Sequence, residues 1–167
     1  MTSICSQGVS KTLPVSQSNW EAQVEATTIG LIVNMGKILL RPEETGLLAA
    51  QTGMSESIVE GYAASCFAQT WGMPKRVAQV LEAVPLSFRY PLAAIPEEIR
   101  TTTILVSFAS FVTRVHGFED GSIAELPPLE CLEFLGWFAP SDRHWVTAEV
   151  ARDMEKVRIA MESTFAG

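Results

Sequence analysis

Residues 104–112, Ile-Leu-Val-Ser-Phe-Ala-Ser-Phe-Val, are apolar on most faces of a helix. Such a helix has to be covered on several sides, so it belongs at the centre of a fold. It falls well short of the ~20 apolar residues that a membrane span requires. A second apolar stretch, Ile29–Leu40, is also too short and carries Asn34 and Lys37. Both segments therefore call for a shell of other elements, and 167 residues are enough to build one.

The rest of the chain reads as helices separated by clear stops. Residues 1–17 are rich in Ser, Thr and Gln without periodicity and read as a flexible tail. Ser18 and Glu21 have the spacing of a capping box, which predicts a helix from Asn19 to about Leu40, ended by Pro42. A short helix over Glu43–Gln51 closes at Gly53. Ser55 caps the next, which runs to about Trp71 with Ile58, Tyr62 and Cys66 on its apolar stripe. Gly72 ends that helix, and Pro74 opens another at the first helical position. Val77, Val80, Leu81 and Val84 follow at the spacing of one buried helical face.

Residues 85–96 contain three prolines and read as a loop. Pro96-Glu97-Glu98 then starts the central helix, because acidic residues suit the positive end of the helix dipole. This helix reaches about His116 and ends at Gly117. Beyond an acidic loop, Phe118–Pro128, a short helix Leu129–Trp137 and a last helix Thr147–Phe165 complete the chain. The last helix carries Val150, Met154, Val157 and Met161 at steps of three and four. The fold class is all-α: one compact bundle of about six or seven helices over residues 18–167.

Charge and cysteine usage exclude several functions. A composition of 47% hydrophobic and 19% charged residues belongs to a globular chain. The net charge of −7 opposes binding to nucleic acid and to anionic membrane surfaces. Cys5, Cys66 and Cys131 have no zinc spacing. Cys66 and Cys131 sit among apolar residues, which predicts buried, reduced thiols and a cytoplasmic location. The first 18 residues lack the apolar centre of a signal peptide.

No catalytic or cofactor motif stands out. Only His116 and His144 could serve as imidazole bases, and they lack metal-ligand spacing. His116 offsets a helix C-terminus, and His144 belongs to a charged surface segment. The pairs Glu43–Glu44, Glu97–Glu98 and Glu119–Asp120 read as helix starts and loop acids. There is no phosphate-binding loop and no GxGxxG, so no cofactor is expected. Gly30 and Gly36 read as close-packing positions. The four tryptophans read as core or half-buried anchors.

Two segments carry a resemblance. Gly30-Leu31-Ile32-Val33-Asn34-Met35-Gly36-Lys37-Ile38 resembles the G-L-L-H-D-I-G-K helix of the HD superfamily. Trp71-Gly72-Met73-Pro74, followed by Val77, Val80 and Leu81, resembles the W-x-L-P helix start of its HDOD branch. The central helix resembles the later L-A-D helix, and the likeness spans roughly Trp20–Phe165. HD enzymes are phosphohydrolases that use His and Asp to hold water-activating cations. The resemblance puts the His-Asp pair on Val33-Asn34, a further His on Glu60, the His-His pair near Val84-Pro85, and the L-A-D Asp on Ser110. Every histidine of the set is replaced, and one carboxylate does not hold a metal.

The resemblance therefore implies a non-catalytic domain of bacterial signalling or regulation that acts through protein contacts. Val33, Asn34, Glu60, Val84 and Ser110 would form a vestigial pocket with no metal. Two alternatives stay open: a phosphohydrolase with unusual ligands, and a sensor that binds a small molecule in that pocket. Fewer helices precede the G-L-L-H-D-like segment than in the family, so uncovered apolar surface is expected to seek a protein partner or a second copy. Trp137 and Phe138 are a further candidate interface.

Overall fold

A computed structural model describes residues 20–115 and 129–134, together with the single positions Arg152, Lys156 and Ile159. Seven α-helical segments are described over the two ranges. They are α1 (Trp20–Ile32), α2 (Met35–Leu39), α3 (Pro42–Thr52), α4 (Glu56–Thr70), α5 (Lys75–Ala83), α6 (Glu97–Val115) and α7 (Leu129–Phe134). Two 3-10 turns, Pro85–Phe88 and Leu92–Ala94, join α5 to α6. Among the described residues there is no strand, and the fold is all-α.

Helix α6 is the core element that its composition demands. Every residue from Thr102 to Ser110 is buried, and Ile104, Leu105 and Phe108 are almost wholly so. Helices α1 and α5 pack on it, with Ala22, Ala26 and Ile29 from α1 and Val80 and Leu81 from α5 in the same apolar cluster. Cys131 of α7 is buried in this cluster, and Phe134 packs against it. Burial pushes the Cys131 thiol up to about 11, with the neighbouring Glu130 charge adding to the shift.

The polar groups of α6 are mostly satisfied locally. The Ser87 hydroxyl donates to the Ser107 hydroxyl. Ser107 in turn donates to the Thr103 carbonyl at 2.7 Å, which ties the first 3-10 turn to the core. On another face, Glu25 of α1 accepts from the Arg76 side chain at 2.7 Å and from the Thr102 hydroxyl. One carboxylate thus links α1, α5 and α6.

Several sequence expectations need correction. The helix expected over Asn19–Leu40 breaks at Val33–Asn34 and resumes as α2. Asn34 sits at φ −92° and ψ 7°, a turn conformation that its short polar side chain favours. The break ends the all-round burial expected of Ile29–Leu40: Ile29 is buried, whereas Leu31 and Ile38 are 72% and 74% exposed.

Pro42 does more than stop a helix. It occupies the first turn of α3, where Arg41 donates its backbone N–H and its guanidinium to Glu44. Ser55 stands at the N-cap of α4, but its hydroxyl pairs with that of Ser57 at 3.1 Å. Pro74 precedes α5 rather than opening it from within.

The expected apolar stripe of α4 points the wrong way. Tyr62 and Cys66 are exposed, and Ile58 is half-buried. The buried face consists of Val59, Gly61, Ala64, Ser65 and Ala68. Small side chains are weak hydropathy signals, yet they let neighbouring helices approach closely. Cys66 is therefore not the buried thiol expected from its neighbours.

The tail 1–17, the Ser18 cap, His116, the loop 118–128, Trp137, Phe138, His144 and Trp145 lie outside the described residues. Of the expected last helix, Arg152, Lys156 and Ile159 are described, and all three are helical and exposed.

Candidate ligand cavity

Two glycines set the geometry around the α1–α2 break. Gly36 is buried against the Glu60 backbone, and a Cβ there would fall 2.8 Å from the Glu60 Cα and overlap its carbonyl group. On the next position of α4, a Cβ at Gly61 would meet Pro85 Cγ at 2.7 Å and the Leu81 carbonyl oxygen at 3.0 Å. These bare positions let α2, α4 and the end of α5 converge.

A cavity of about 60 Å³ lies where they meet, with α6 closing another side. Val33, Asn34, Glu60, Val84 and Ser110 all line it, although they come from four separate stretches of chain. Pro85 lines it as well. The five residues singled out in the sequence are thus brought together.

Three polar residues of this cavity were missed as site residues: Lys37, Ser57 and Arg114. A signal for them existed. On a helix, positions three or four apart share a face. Lys37 is three after Asn34, Ser57 is three before Glu60, and Arg114 is four after Ser110. Each missed residue stands one turn from a residue already singled out.

The lining has a definite chemical character. It offers one carboxylate, one amide, two hydroxyls and two cationic side chains. Ser110 is only 4% exposed. Lys37 is half-buried and forms no ion pair with a described residue.

These residues do not fit the cations that HD enzymes use. Divalent metals take several carboxylate, imidazole or thiolate ligands, and Lys37 and Arg114 would repel them. Among the described residues, no three His, Cys, Asp or Glu side chains gather in a metal-binding group.

Two further cavities adjoin each other on the α5–α6 side. One, of about 200 Å³, is lined by Gln79, Glu82 and Ile99, and the other, of about 230 Å³, by Tyr90, Ala94 and Ile95. They share Ala83, Leu86 and Pro96 and offer mainly apolar walls. No helix among the described residues is long and apolar enough to cross a membrane.

No protein-family model, curated protein or solved structure matches this chain.

Proposed function

We propose that this chain is a non-catalytic, HDOD-like regulatory domain that works through contacts with a second copy or a partner protein. The observation that carries the reading is the convergence described above. The positions that resemble the HD metal ligands line one cavity, yet their side chains form no metal-binding set. A phosphohydrolase built on that cavity would lack both a metal-binding set and an imidazole base among the described lining residues.

The outer surface supports the contact role. Leu31, Ile38 and Leu47, on α1, α2 and α3, are each more than half exposed, and Leu39 and Leu48 are also exposed. Exposed apolar side chains grouped on consecutive elements favour association. The expected outcome is self-association at micromolar concentration in sedimentation velocity, or binding of an apolar-surface dye. Both should fall in a Leu31→Ser, Ile38→Ser double variant. A monomer that binds no dye and is unchanged by those substitutions contradicts the contact role.

A further inference from the structure

We infer that the two adjoining cavities between α5 and the start of α6 form one binding site for a small amphiphilic cation, an apolar body that ends in an amine. The site lies apart from the cavity at the α1–α2 break and does not rest on the reading proposed above.

The first observation is the shape and chemistry of the walls. The cavities measure about 200 and 230 Å³ and share Ala83, Leu86 and Pro96. Ile99 lines one and Ile95 the other, and both side chains are buried. An apolar cavity of ~150 Å³ already holds a benzene ring. A ligand lying across the shared residues therefore has room for an alkyl chain or a ring.

The wall backbone has little left to offer a ligand. Ile95 donates its N–H to the Leu92 carbonyl at 3.1 Å, and its own carbonyl accepts from the Arg100 guanidinium at 2.9 Å. The Leu86 carbonyl accepts from the Tyr90 N–H at 3.0 Å, and the Pro96 carbonyl accepts from the Ile99 N–H at 3.2 Å. Binding is left to side chains, which suits an apolar body and not an extended peptide. Pro85, Pro91 and Pro96 fix the backbone that carries these walls, so little ordering is required of it on binding.

The second observation is the polar edge. Gln79, Glu82, Ala83 and Leu86 follow the spacing of one helical face, so an amide and a carboxylate stand beside the apolar wall. Tyr90 lines the other cavity and is 48% exposed. The Glu82 side chain forms no ion pair with a described residue. No cationic residue is among the described lining of either cavity. The positive end of α6 begins beside them, but Glu97 and Glu98 in its first turn offset it. A carboxylate attracts an ammonium group, and an aromatic face does the same. The chain's net charge of −7 adds to the preference for a cation over an anion.

The test titrates the full chain with octylammonium, octanol and octanoate, which share one apolar body and differ in charge. The methyl resonances of Ala83, Leu86, Ala94, Ile95 and Ile99 report the site, and those of Leu31 and Ile38 report adsorption elsewhere. Octylammonium should shift the five cavity residues saturably and leave the other two unmoved. It should bind about threefold more tightly than octanol, the size of a solvent-exposed ion pair, and octanoate should bind most weakly. Glu82→Gln should bring octylammonium to the level of octanol. Ala94→Trp, at an exposed position that lines the cavity, should abolish the saturable shifts of all three.

An absence of saturable shifts would overturn the proposal, as would equal shifts at Leu31 and Ile38. So would octanoate binding as tightly as octylammonium, or unchanged binding by a folded Ala94→Trp protein. Shifts of the five cavity residues on dilution of the ligand-free protein would show that a second copy fills the site, and would overturn it too.

Discussion

Gly36 and Glu60 meet backbone to backbone: the α-carbon of Gly36 occupies a space in which a methyl group would overlap the Glu60 carbonyl. Neither side of that contact is a flexible side-chain tip, so neither can yield cheaply. Gly36→Ala is expected to destabilise the fold by about 1–3 kcal/mol, as overpacking does. Gly46 in α3 supplies the contrast, because its nearest neighbour to a new Cβ would be the Glu56 carboxylate at 3.7 Å. Gly46→Ala is expected to stabilise by about 0.5–1 kcal/mol through helix propensity. Urea unfolding of the two variants should show opposite signs.

Glu25 supports three helices at once through Arg76 and Thr102. Its side chain is 20% exposed, whereas that of Arg76 is 42% exposed, so solvent screens part of the ion pair. Glu25→Ala is expected to cost about 1–2 kcal/mol, mostly from the lost hydrogen bonds. Glu25→Gln should recover part of this, because its amide oxygen still accepts. Chemical denaturation of both variants checks the order.

Thr103 presents the opposite case. Its hydroxyl is buried and has no hydrogen-bond partner among the described residues. Replacing it by a methyl of similar shape removes an unsatisfied polar group from the core. Thr103→Val is therefore expected to raise stability by about 1 kcal/mol, read as a higher urea midpoint at unchanged slope. A loss of stability would show that the hydroxyl is satisfied in solution.

The two described cysteines differ in access. In a Cys5→Ser background, one thiol, Cys66, should react with a disulfide reagent in the native state, and Cys131 should react only after unfolding. The raised Cys131 value also sets a pH dependence. The native thiol stays protonated up to about 11, while the unfolded thiol ionises from about 9.0. The Cys131 contribution is fully present below pH ~9 and is lost as pH rises toward ~11. Cys131→Ala should flatten that alkaline decline.

Much of the fold was readable because the strong signals are physical necessities. The apolar run at residues 104–112 had to be central, and it is. Gly53 and Gly72, at φ 68° and 70°, end helices as expected of glycine in the left-handed region. What escaped were features that depend on tertiary contact. The break at Asn34 comes without a proline or a neighbouring charge run to mark it. The buried face of α4 is carried by Gly61, Ala64 and Ala68, whose worth lies in close approach rather than hydropathy.

The cavity was readable in outline for a related reason. Val33, Asn34, Glu60, Val84 and Ser110 came from matching short motifs, and the helices bring them to one place. Lys37, Ser57 and Arg114 were missed because the motifs were matched residue by residue, without extending each helix by one turn.

The central claim is that this cavity does no metal-dependent chemistry. Metal analysis of the purified full chain, paired with nucleotide and phosphomonoester hydrolysis by the parent and Glu60→Ala proteins, tests it most directly. The account predicts manganese and iron far below one per chain, and no turnover that depends on Glu60. Stoichiometric manganese or iron, with turnover abolished by Glu60→Ala, would contradict it.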